Sequence, residues 1–326
     1  MTIPGARKRH LLETFHELIY QKGWKFEDSG PDEKDAILLV EFDVVINEFL
    51  RLPTEYQVVI ADITKRMGEG MSEFSRRKVV TLEDYDLYCH YVAGLVGHGL
   101  SRLFAASGLE DASVGEKLEL ANSMGLFLQR TNITRDINED VLDGRCFWPE
   151  AIWKKHASST EELIARQNRE KGLEALNEMC INALSLIPDV MEYLAQIKEP
   201  SVFKFCAIPE VMAIATLVAC YDNTKVLDGN VKIRKGEALK LISRSTDINS
   251  VRRIFYTYIV KLEKKNRVGD PLYSEVRKIV DRTKKDIAGQ LNGRVPVDFT
   301  KEYLIIGLFV ITLALFFYSY PRSDRV

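Results

Sequence analysis

The stretch QRTNITRDINED, at residues 129–140, concentrates side chains that can bind metal and phosphate. On a helix, its polar residues project into one sector about 100° wide. These residues are Gln129, Asn132, Asp136, Glu139 and Asp140. Asp136 and Asp140 are one turn apart, so their carboxylates repel each other unless a cation binds both. Because Mg²⁺ prefers carboxylate and phosphate oxygens, the pattern predicts a magnesium and diphosphate site, with a solvated acidic helix face as the alternative.

Basic side chains in the same stretch and in a later loop can bind phosphate. Arg130 and Arg135 lie among the acidic residues, and guanidinium groups suit paired contacts with diphosphate oxygens. The segment KIRKG, at residues 232–236, is a basic loop before a helix and can also hold a phosphate. On the pattern alone, an ordinary surface loop explains this segment as well.

A further candidate lies on a helical pattern at 82–105, which is apolar around much of its circumference and therefore belongs at the centre of a large bundle. Tyr88 shares a face of it with Val92 and Leu95. A buried phenol can relay a proton, and an aromatic face can stabilise a carbocation, whereas a core aromatic stripe is the alternative. Three glycines on this helix indicate close helix contact or room for a ligand: Gly94, Gly97 and Gly99.

The elements that must position these residues are helices, because helical spacing of apolar residues covers nearly the whole chain and no convincing strand pattern occurs. This predicts an all-α fold. The predicted helices span about 32–50, 54–70, 82–105, 115–140, 161–196, 202–221, 248–265 and 274–289. The segment 202–221 contains Phe205 beside Pro209, which predicts a core helix that is broken or kinked at the proline.

The composition is that of a globular, reduced protein. The 326 residues suit a large helical domain, with 46% hydrophobic and 28% charged residues. The net charge of -2 gives no indication of nucleic-acid binding. Five cysteines without a C-x-x-C motif indicate free thiols in a cytosolic compartment.

The segment YLIIGLFVITLALFFYSY, at 303–320, contains no charged residue. At about 1.5 Å per residue it spans roughly 27 Å, near the thickness of an endoplasmic reticulum bilayer. Tyrosines lie at both ends, where the headgroup layer suits an amphipathic ring. A single-pass tail anchor is predicted, with a buried core helix as the alternative. The predicted organisation is a helical domain at 1–289, a linker at 290–302, the anchor at 303–320 and a short tail at 321–326.

Several ordered segments together make the chain resemble the squalene synthase family. They are YQVVIADITKRMGEGM (56–71), YCHYVAGLVGHGLSRLF (88–104), ANSMGLFLQRTNITRDINED (121–140), GRCFWP (144–149), SVFKFCAIPEVMAIATLVACY (201–221) and VKIRKGEA (231–238). Phytoene and dehydrosqualene synthases share the tyrosine and aspartate helices. The basic loop and the C-terminal anchor, however, look like squalene synthase.

The resemblance implies an isoprenoid-synthase helical bundle around a central cavity. Two farnesyl diphosphates would condense there to presqualene diphosphate with the help of Mg²⁺, and NADPH would then reduce this intermediate to squalene. The resemblance also implies sterol biosynthesis at the endoplasmic reticulum membrane, with the catalytic domain facing the cytosol, and a monomer.

Individual roles follow from the resemblance by position. Tyr88 would be the acid/base residue of the first half-reaction, and Phe205 would steady the carbocation of the second. Asp136 and Asp140 would hold Mg²⁺ and diphosphate. The substrate-binding residues would be Gln129, Asn132 and Arg145, and the residues that hold the phosphates of NADPH would be Arg135, Lys232 and Arg234.

The chain departs from the family pattern at its start. Family members carry a helix with D-x-x-E-D before the aligned region, and Met1 aligns directly after that motif. We therefore expect this chain by itself to lack one wall of the metal site and to have little or no activity. The segment TLEDY, at 81–85, looks similar to the motif, but we interpret it as the N-terminus of the tyrosine helix, where the dipole favours acidic residues.

Two other functions stay open on the sequence. One is a related phytoene- or dehydrosqualene-type synthase that stops at a non-reduced product, and the other is a tail-anchored interaction protein without enzymatic activity. Formation of an NADPH-dependent product distinguishes the first of these from a squalene synthase.

Overall fold

The computed structural model describes residues 5–29 and 35–296. Every regular element within these residues is a helix, which confirms the predicted all-α class. The α-helices are α1 (Gly5–Leu18), α2 (Ala36–Val40), α3 (Phe42–Phe49), α4 (Thr54–Phe74), α5 (Leu82–Cys89), α6 (Leu95–Ala106), α7 (Ala112–Glu116), α8 (Leu118–Arg135), α9 (Ile137–Leu142), α10 (Glu150–Trp153), α11 (Thr160–Ile164), α12 (Arg169–Leu184), α13 (Ile187–Gln196), α14 (Pro200–Cys220), α15 (Lys235–Arg244), α16 (Ile248–Lys265) and α17 (Tyr273–Gln290). A π-helical turn, His90–Gly94, joins α5 to α6, and 3₁₀ helices occupy Arg166–Asn168 and Thr224–Leu227.

The predicted helices agree best with the structure at two places. The helix predicted at 248–265 coincides with α16, and the one predicted at 82–105 is a continuous run of α5, the π-helical turn and α6. Three longer predictions are divided into shorter helices. In one of them α8 ends at Asp136, whose backbone (φ -94°, ψ 10°) departs from helical geometry, and in another Pro188 starts α13, a position that tolerates proline.

Helix α14 passes through the centre of the bundle. It continues without interruption through Pro209, so the predicted break there was wrong. Proline removes one backbone N–H and crowds the carbonyl four residues earlier, which belongs to Phe205. Packing of α14 against α8, α12 and α16 offsets this cost, because most of its apolar side chains are buried.

Among the described residues, only α14 is long and apolar enough to cross a membrane by length and composition, and 61% of its most apolar stretch is buried in the protein. Such burial is typical of a core helix. The linker predicted at 290–302 is described only as far as 296, and the predicted anchor at 303–320 and tail at 321–326 lie outside the described residues.

The start of α5 agrees with the interpretation of the TLEDY segment. The Thr81 hydroxyl accepts a hydrogen bond from the Asp84 backbone N–H at 3.1 Å, and the Asp84 carboxylate accepts one from the Thr81 N–H at 3.0 Å. This reciprocal pair is a capping box. Hydrogen bonding from the Thr81 backbone is the main reason that the pKa of Asp84 is lowered, and Arg77 contributes as well. The carboxylate therefore caps a helix and is not part of a metal cavity.

The backbones of α6 and α8 approach very closely at two glycines. A Cβ atom on Gly97 would lie 2.1 Å from the carbonyl oxygen of Ala121, and one on Gly125 would lie 2.3 Å from that of Ala93 in the π-helical turn. No side chain fits at these distances. Of the two readings of the glycine-rich helix, close helix contact is therefore confirmed.

We expect Gly125→Ala to lower the free energy of unfolding by about 1–3 kcal/mol, because the added methyl group must push two backbones apart. Urea unfolding of the full chain, followed by circular dichroism, measures the change. Gly289→Ala is the matched control, since a Cβ there meets nothing within 4 Å. Equal losses in the two variants would contradict the packing argument.

Candidate active site

A polar cavity of about 530 Å³ lies where α8 ends and α9 begins. The structure brings all five residues of the predicted polar stripe into its wall, although the helix that was expected to carry them is divided at Asp136. The five side chains still share one cavity wall, because the Asp140 N–H donates to the Asp136 carbonyl oxygen at 3.0 Å and so keeps helical spacing across the division. The rest of the wall consists of Ile133, Leu142, Asp143, Arg145 and Phe147.

A middle cavity of about 790 Å³ adjoins the polar cavity. The two are contiguous, because Asn132, Asp136 and Glu139 line both. The opposite wall comes from α14 and from the basic loop that precedes α15. The loop residues in this wall are Asn230, Val231, Lys232, Ile233 and Lys235.

An apolar cavity of about 250 Å³ continues the series. Leu128 and Pro209 line both this cavity and the middle one, so the three form a path from charged to hydrocarbon surroundings. Residues from the π-helical turn, α6, α8, α13 and α14 make up its wall. They are Val92, Ala93, Val96, Gly97, Leu100, Ala121, Met124, Gly125, Leu128, Tyr193, Phe205, Cys206, Pro209 and Glu210.

Both predicted metal-binding aspartates contact arginines. Arg135 donates two hydrogen bonds to Asp136, at 2.7 and 2.6 Å, and the Arg145 guanidinium lies 3.2 Å from Asp140. Burial raises the pKa of the Asp140 carboxyl, an effect that Arg145 opposes and the Asp136 charge reinforces. The two acids therefore lie close enough to influence each other, as the i, i+4 spacing predicted.

The donor set suits Mg²⁺ in type, since carboxylate and amide oxygens are hard ligands. Among the described residues, no three acidic, histidine or cysteine side chains converge on one point as a complete metal cluster. As metal ligands, Asp136 and Asp140 would therefore form only part of a set, which phosphate oxygens would have to complete.

Arg130 does not face these cavities, in contrast to the prediction that it meets diphosphate. It is 4% exposed, and it forms an ion pair with Asp86 and donates to the Asn182 carbonyl oxygen. Its guanidinium also lies over the Tyr85 ring, 5.6 Å from the centroid. Arg130 therefore connects α8 to α5 and α12 in the core.

Tyr88 lies behind the polar cavity. Its ring stacks on Phe147, with the centroids 5.0 Å apart, and meets Phe74 edge-on. Burial raises the pKa of the phenol to about 12, and Asp140 and Arg145 influence it in opposite directions. The hydroxyl is thus protonated at neutral pH and close enough to the acidic pair to respond to its charge.

Phe205 lines the apolar cavity at an exposed position. Its side chain is 58% exposed and meets Phe104 edge-on, with the ring centroids 6.2 Å apart. The aromatic face therefore borders the cavity in which it was predicted to act.

The segment that directly precedes the basic loop is held against α9 by side-chain hydrogen bonds. Asn230 donates to the Glu139 carboxylate at 3.0 Å, and Asn138 donates to the Leu227 carbonyl oxygen at 2.9 Å. Lys232 lines the middle cavity as predicted, whereas Lys235 does so in place of Arg234. The tether was missed from the sequence, although Glu139 belonged to the recognised stripe.

Glu210 was also missed. It is 1% exposed, and burial raises the pKa of its carboxyl well above the ordinary value. The sequence did contain a signal, because Glu210 is the one acidic residue in the predominantly apolar segment 202–221.

Proteins of known family resemble this chain in both sequence and structure. The family profile described as squalene/phytoene synthase matches residues 2–237. The rat and human squalene synthases are each 48% identical over 280 residues, which is 86% of this chain and 67% of theirs. A solved complex of TcSQS with the ligand E5700 superposes with a TM-score of 0.86 at 39% identity, covering 88% of this chain and 84% of that one.

The chain therefore belongs to the squalene/phytoene synthase family, and its helical bundle is the isoprenoid-synthase fold. Within that family its curated relatives are squalene synthases, which identifies it as an enzyme of the farnesyl-diphosphate farnesyltransferase class. The chain spans about two thirds of the length of the mammalian relatives.

We expect Glu210→Gln to raise the melting temperature at pH 7 but to have little effect near pH 4. An acid whose pKa is raised by folding is protonated in both states at low pH. Above about pH 4.3, the unfolded-state value, ionisation favours the unfolded chain. Glutamine cannot ionise, so the variant does not lose stability in this way as the pH rises. Thermal unfolding of both full chains between pH 4 and pH 8 measures the difference, and a gap that does not grow with pH would contradict it.

Proposed function

We propose that the chain is a squalene synthase that condenses two farnesyl diphosphates to presqualene diphosphate and then reduces this intermediate with NADPH to squalene. One observation carries the proposal: an acidic and amide-lined cavity leads, past a basic loop, into an apolar cavity. A farnesyl diphosphate matches this arrangement, because it carries a charged diphosphate head at one end of a hydrocarbon chain.

At the polar end, Asp136 and Asp140 would hold Mg²⁺ together with the diphosphate, and Gln129 and Asn132 offer amide groups in the same wall. Bound Mg²⁺ neutralises the charge that develops on a leaving diphosphate. Arg145 already borders both Asp140 and the cavity, so its guanidinium can turn to a phosphate oxygen.

At the apolar end, hydrocarbon walls would exclude water from the reacting chains. Behind the polar cavity, Tyr88 keeps its proton at neutral pH and could donate it towards the departing diphosphate. The ring of Phe205 would steady positive charge on the prenyl chain through its face.

The middle cavity suits the phosphates of NADPH, because Lys232, Lys235 and Arg135 line it. Arg234, predicted for the same role, directly precedes α15. A non-reducing phytoene- or dehydrosqualene-type synthase would have no use for these charges, so the basic wall favours the reducing reaction. The non-enzymatic alternative is less supported, since the relatives are enzymes.

The remaining expectations stay predictions from the sequence. They are a monomer, location at the endoplasmic reticulum membrane with the catalytic domain facing the cytosol, a single-pass anchor at 303–320 and impaired activity of this chain by itself. The assay described next measures the last of them.

We expect Asp140→Asn to lower the squalene formation that the unsubstituted chain retains, measured with farnesyl diphosphate, Mg²⁺ and NADPH, by about 100-fold or more, because electrostatic stabilisation of a leaving group contributes several kcal/mol. Magnesium-dependent binding of farnesyl thiodiphosphate, which resists ionisation, should weaken in parallel. Asp281→Asn is the control, as Asp281 pairs with Arg277 on α17.

Three outcomes are decisive here. A chain that binds the thiodiphosphate but makes no squalene confirms the expected impairment. Squalene formation at undiminished rate by the Asp140→Asn variant contradicts the assigned role. A chain that neither binds nor reacts contradicts the proposed function of this chain.

We expect Lys232→Ala to raise the KM for NADPH about 10-fold, the usual effect of one lost charge-assisted hydrogen bond, and to let presqualene diphosphate accumulate. Lys240→Ala is the control, because Lys240 lies on α15 away from the cavity wall. Steady-state kinetics measure the KM for NADPH, and mass spectrometry measures the ratio of presqualene diphosphate to squalene. An unchanged KM and product ratio would contradict the role of Lys232, and the absence of any NADPH-dependent product from the unsubstituted chain would favour the non-reducing alternative.

A further inference from the structure

Glu210 places a carboxyl group in the wall of the apolar cavity. It lies on α14, one turn after Cys206 and next to Pro209, and all three line the cavity. Its residue is 1% exposed, and its Oε2 atom is buried without a hydrogen-bond partner. A buried polar oxygen without a partner costs free energy, so this position requires an explanation.

No cation neutralises Glu210 within the part of the chain that the structure describes. The wall contributed by the π-helical turn, α6 and α8 is uncharged. The titratable groups beside it are Tyr193 from α13 and Cys206 from α14, and burial raises the pKa of both. The Tyr193 hydroxyl is already paired with Ser101 at 2.7 Å.

Glu110 is the other acidic group that influences these neighbours. Its carboxylate accepts hydrogen bonds from the backbone N–H groups of Lys198 and Glu199, at 3.0 and 2.8 Å. It is therefore occupied at the start of α14. Among the described residues that line this cavity, Glu210 is therefore the only acidic or basic one, and its Oε2 atom has no hydrogen-bond partner.

We propose that Glu210 recognises positive charge on a prenyl chain held in the apolar cavity. With a neutral hydrocarbon in place, the carboxyl stays protonated and the cavity is uncharged. When the occupant carries a fixed cation, the carboxyl releases its proton to solvent, and the resulting carboxylate pairs with the cation. Total charge inside the cavity is then zero in both states, which is the condition for burying charge in a low-dielectric wall.

The inference rests on the proposed function in one respect, since a carbocation on a prenyl chain is the positive charge that this reaction would generate. A carbocation is too brief to titrate Glu210. For that species the unpaired carboxyl oxygen acts as a fixed dipole directed at the charge, which requires no reorganisation.

The test uses two ligands that differ in one atom and in charge. Trimethylfarnesylammonium carries a permanent cation, and the analogue with carbon in place of nitrogen is neutral and of the same shape. We expect the wild-type full chain to bind the ammonium about 10-fold or more tightly than Glu210→Leu does, because the leucine variant leaves the buried cation unpaired. Both proteins should bind the neutral analogue equally.

Calorimetry in two buffers of different ionisation enthalpy supplies a second readout. Binding of the ammonium to the wild type should release about one proton, the number that a single titrating carboxyl supplies. Glu210→Gln, which keeps the size and polarity of the side chain but cannot ionise, should release none.

The outcomes separate this inference from the proposed function. Equal ammonium affinity in wild type and Glu210→Leu, the absence of proton release, or failure of the wild type to bind either ligand overturns the inference. Loss of ammonium selectivity in Glu210→Leu supports it even if the chain makes no squalene. If squalene is made but selectivity is unchanged, the proposed function stands and the role of Glu210 does not.

Discussion

The close approach of α8 to the α5–α6 run is the constraint on which the arrangement of the site depends. Gly97 and Gly125 allow two backbones to come within distances that no side chain tolerates. This contact fixes α8 beside the apolar wall. As a result a single helix passes all three cavities, with Met124 and Leu128 at the apolar end and Gln129 and Asn132 at the polar end.

Separation of charge from hydrocarbon along one helix has an energetic reason. Ionised carboxylates need partners or solvent, and Asp136 and Asp140 find arginines at the open end of α8. Towards the other end of α8, apolar side chains lower the local dielectric, so that even one carboxyl, that of Glu210, shifts its pKa strongly upward. The same few turns of helix thus pass from charged to hydrocarbon surroundings, which is the arrangement that the proposed metal, phosphate and cation chemistry would require.

The sequence was sufficient for the features that depend on periodicity. The all-α class, the bounds of α16 and the grouping of the polar stripe on one cavity wall follow from helical spacing. Features that depend on tertiary partners were not predictable in this way. The backbone break at Asp136 accompanies its pairing with Arg135, and the burial of Arg130 depends on Asp86, which is 44 residues away in the chain. Packing likewise overrode the expected break at Pro209, since α14 is continuous through the proline in the bundle.

The hydrogen bond between Asn230 and Glu139 makes the loop and the acidic helix one mechanical unit. Glu139 faces both the polar and the middle cavity, and its partner lies at the start of the basic loop. A molecule that shifts α9 on binding therefore also shifts the residues that face the second molecule. Any change in affinity that one ligand causes for the other through this hydrogen bond must be reciprocal by thermodynamic necessity, so the acidic helix and the basic loop form a physical connection through which two neighbouring ligands could influence each other equally.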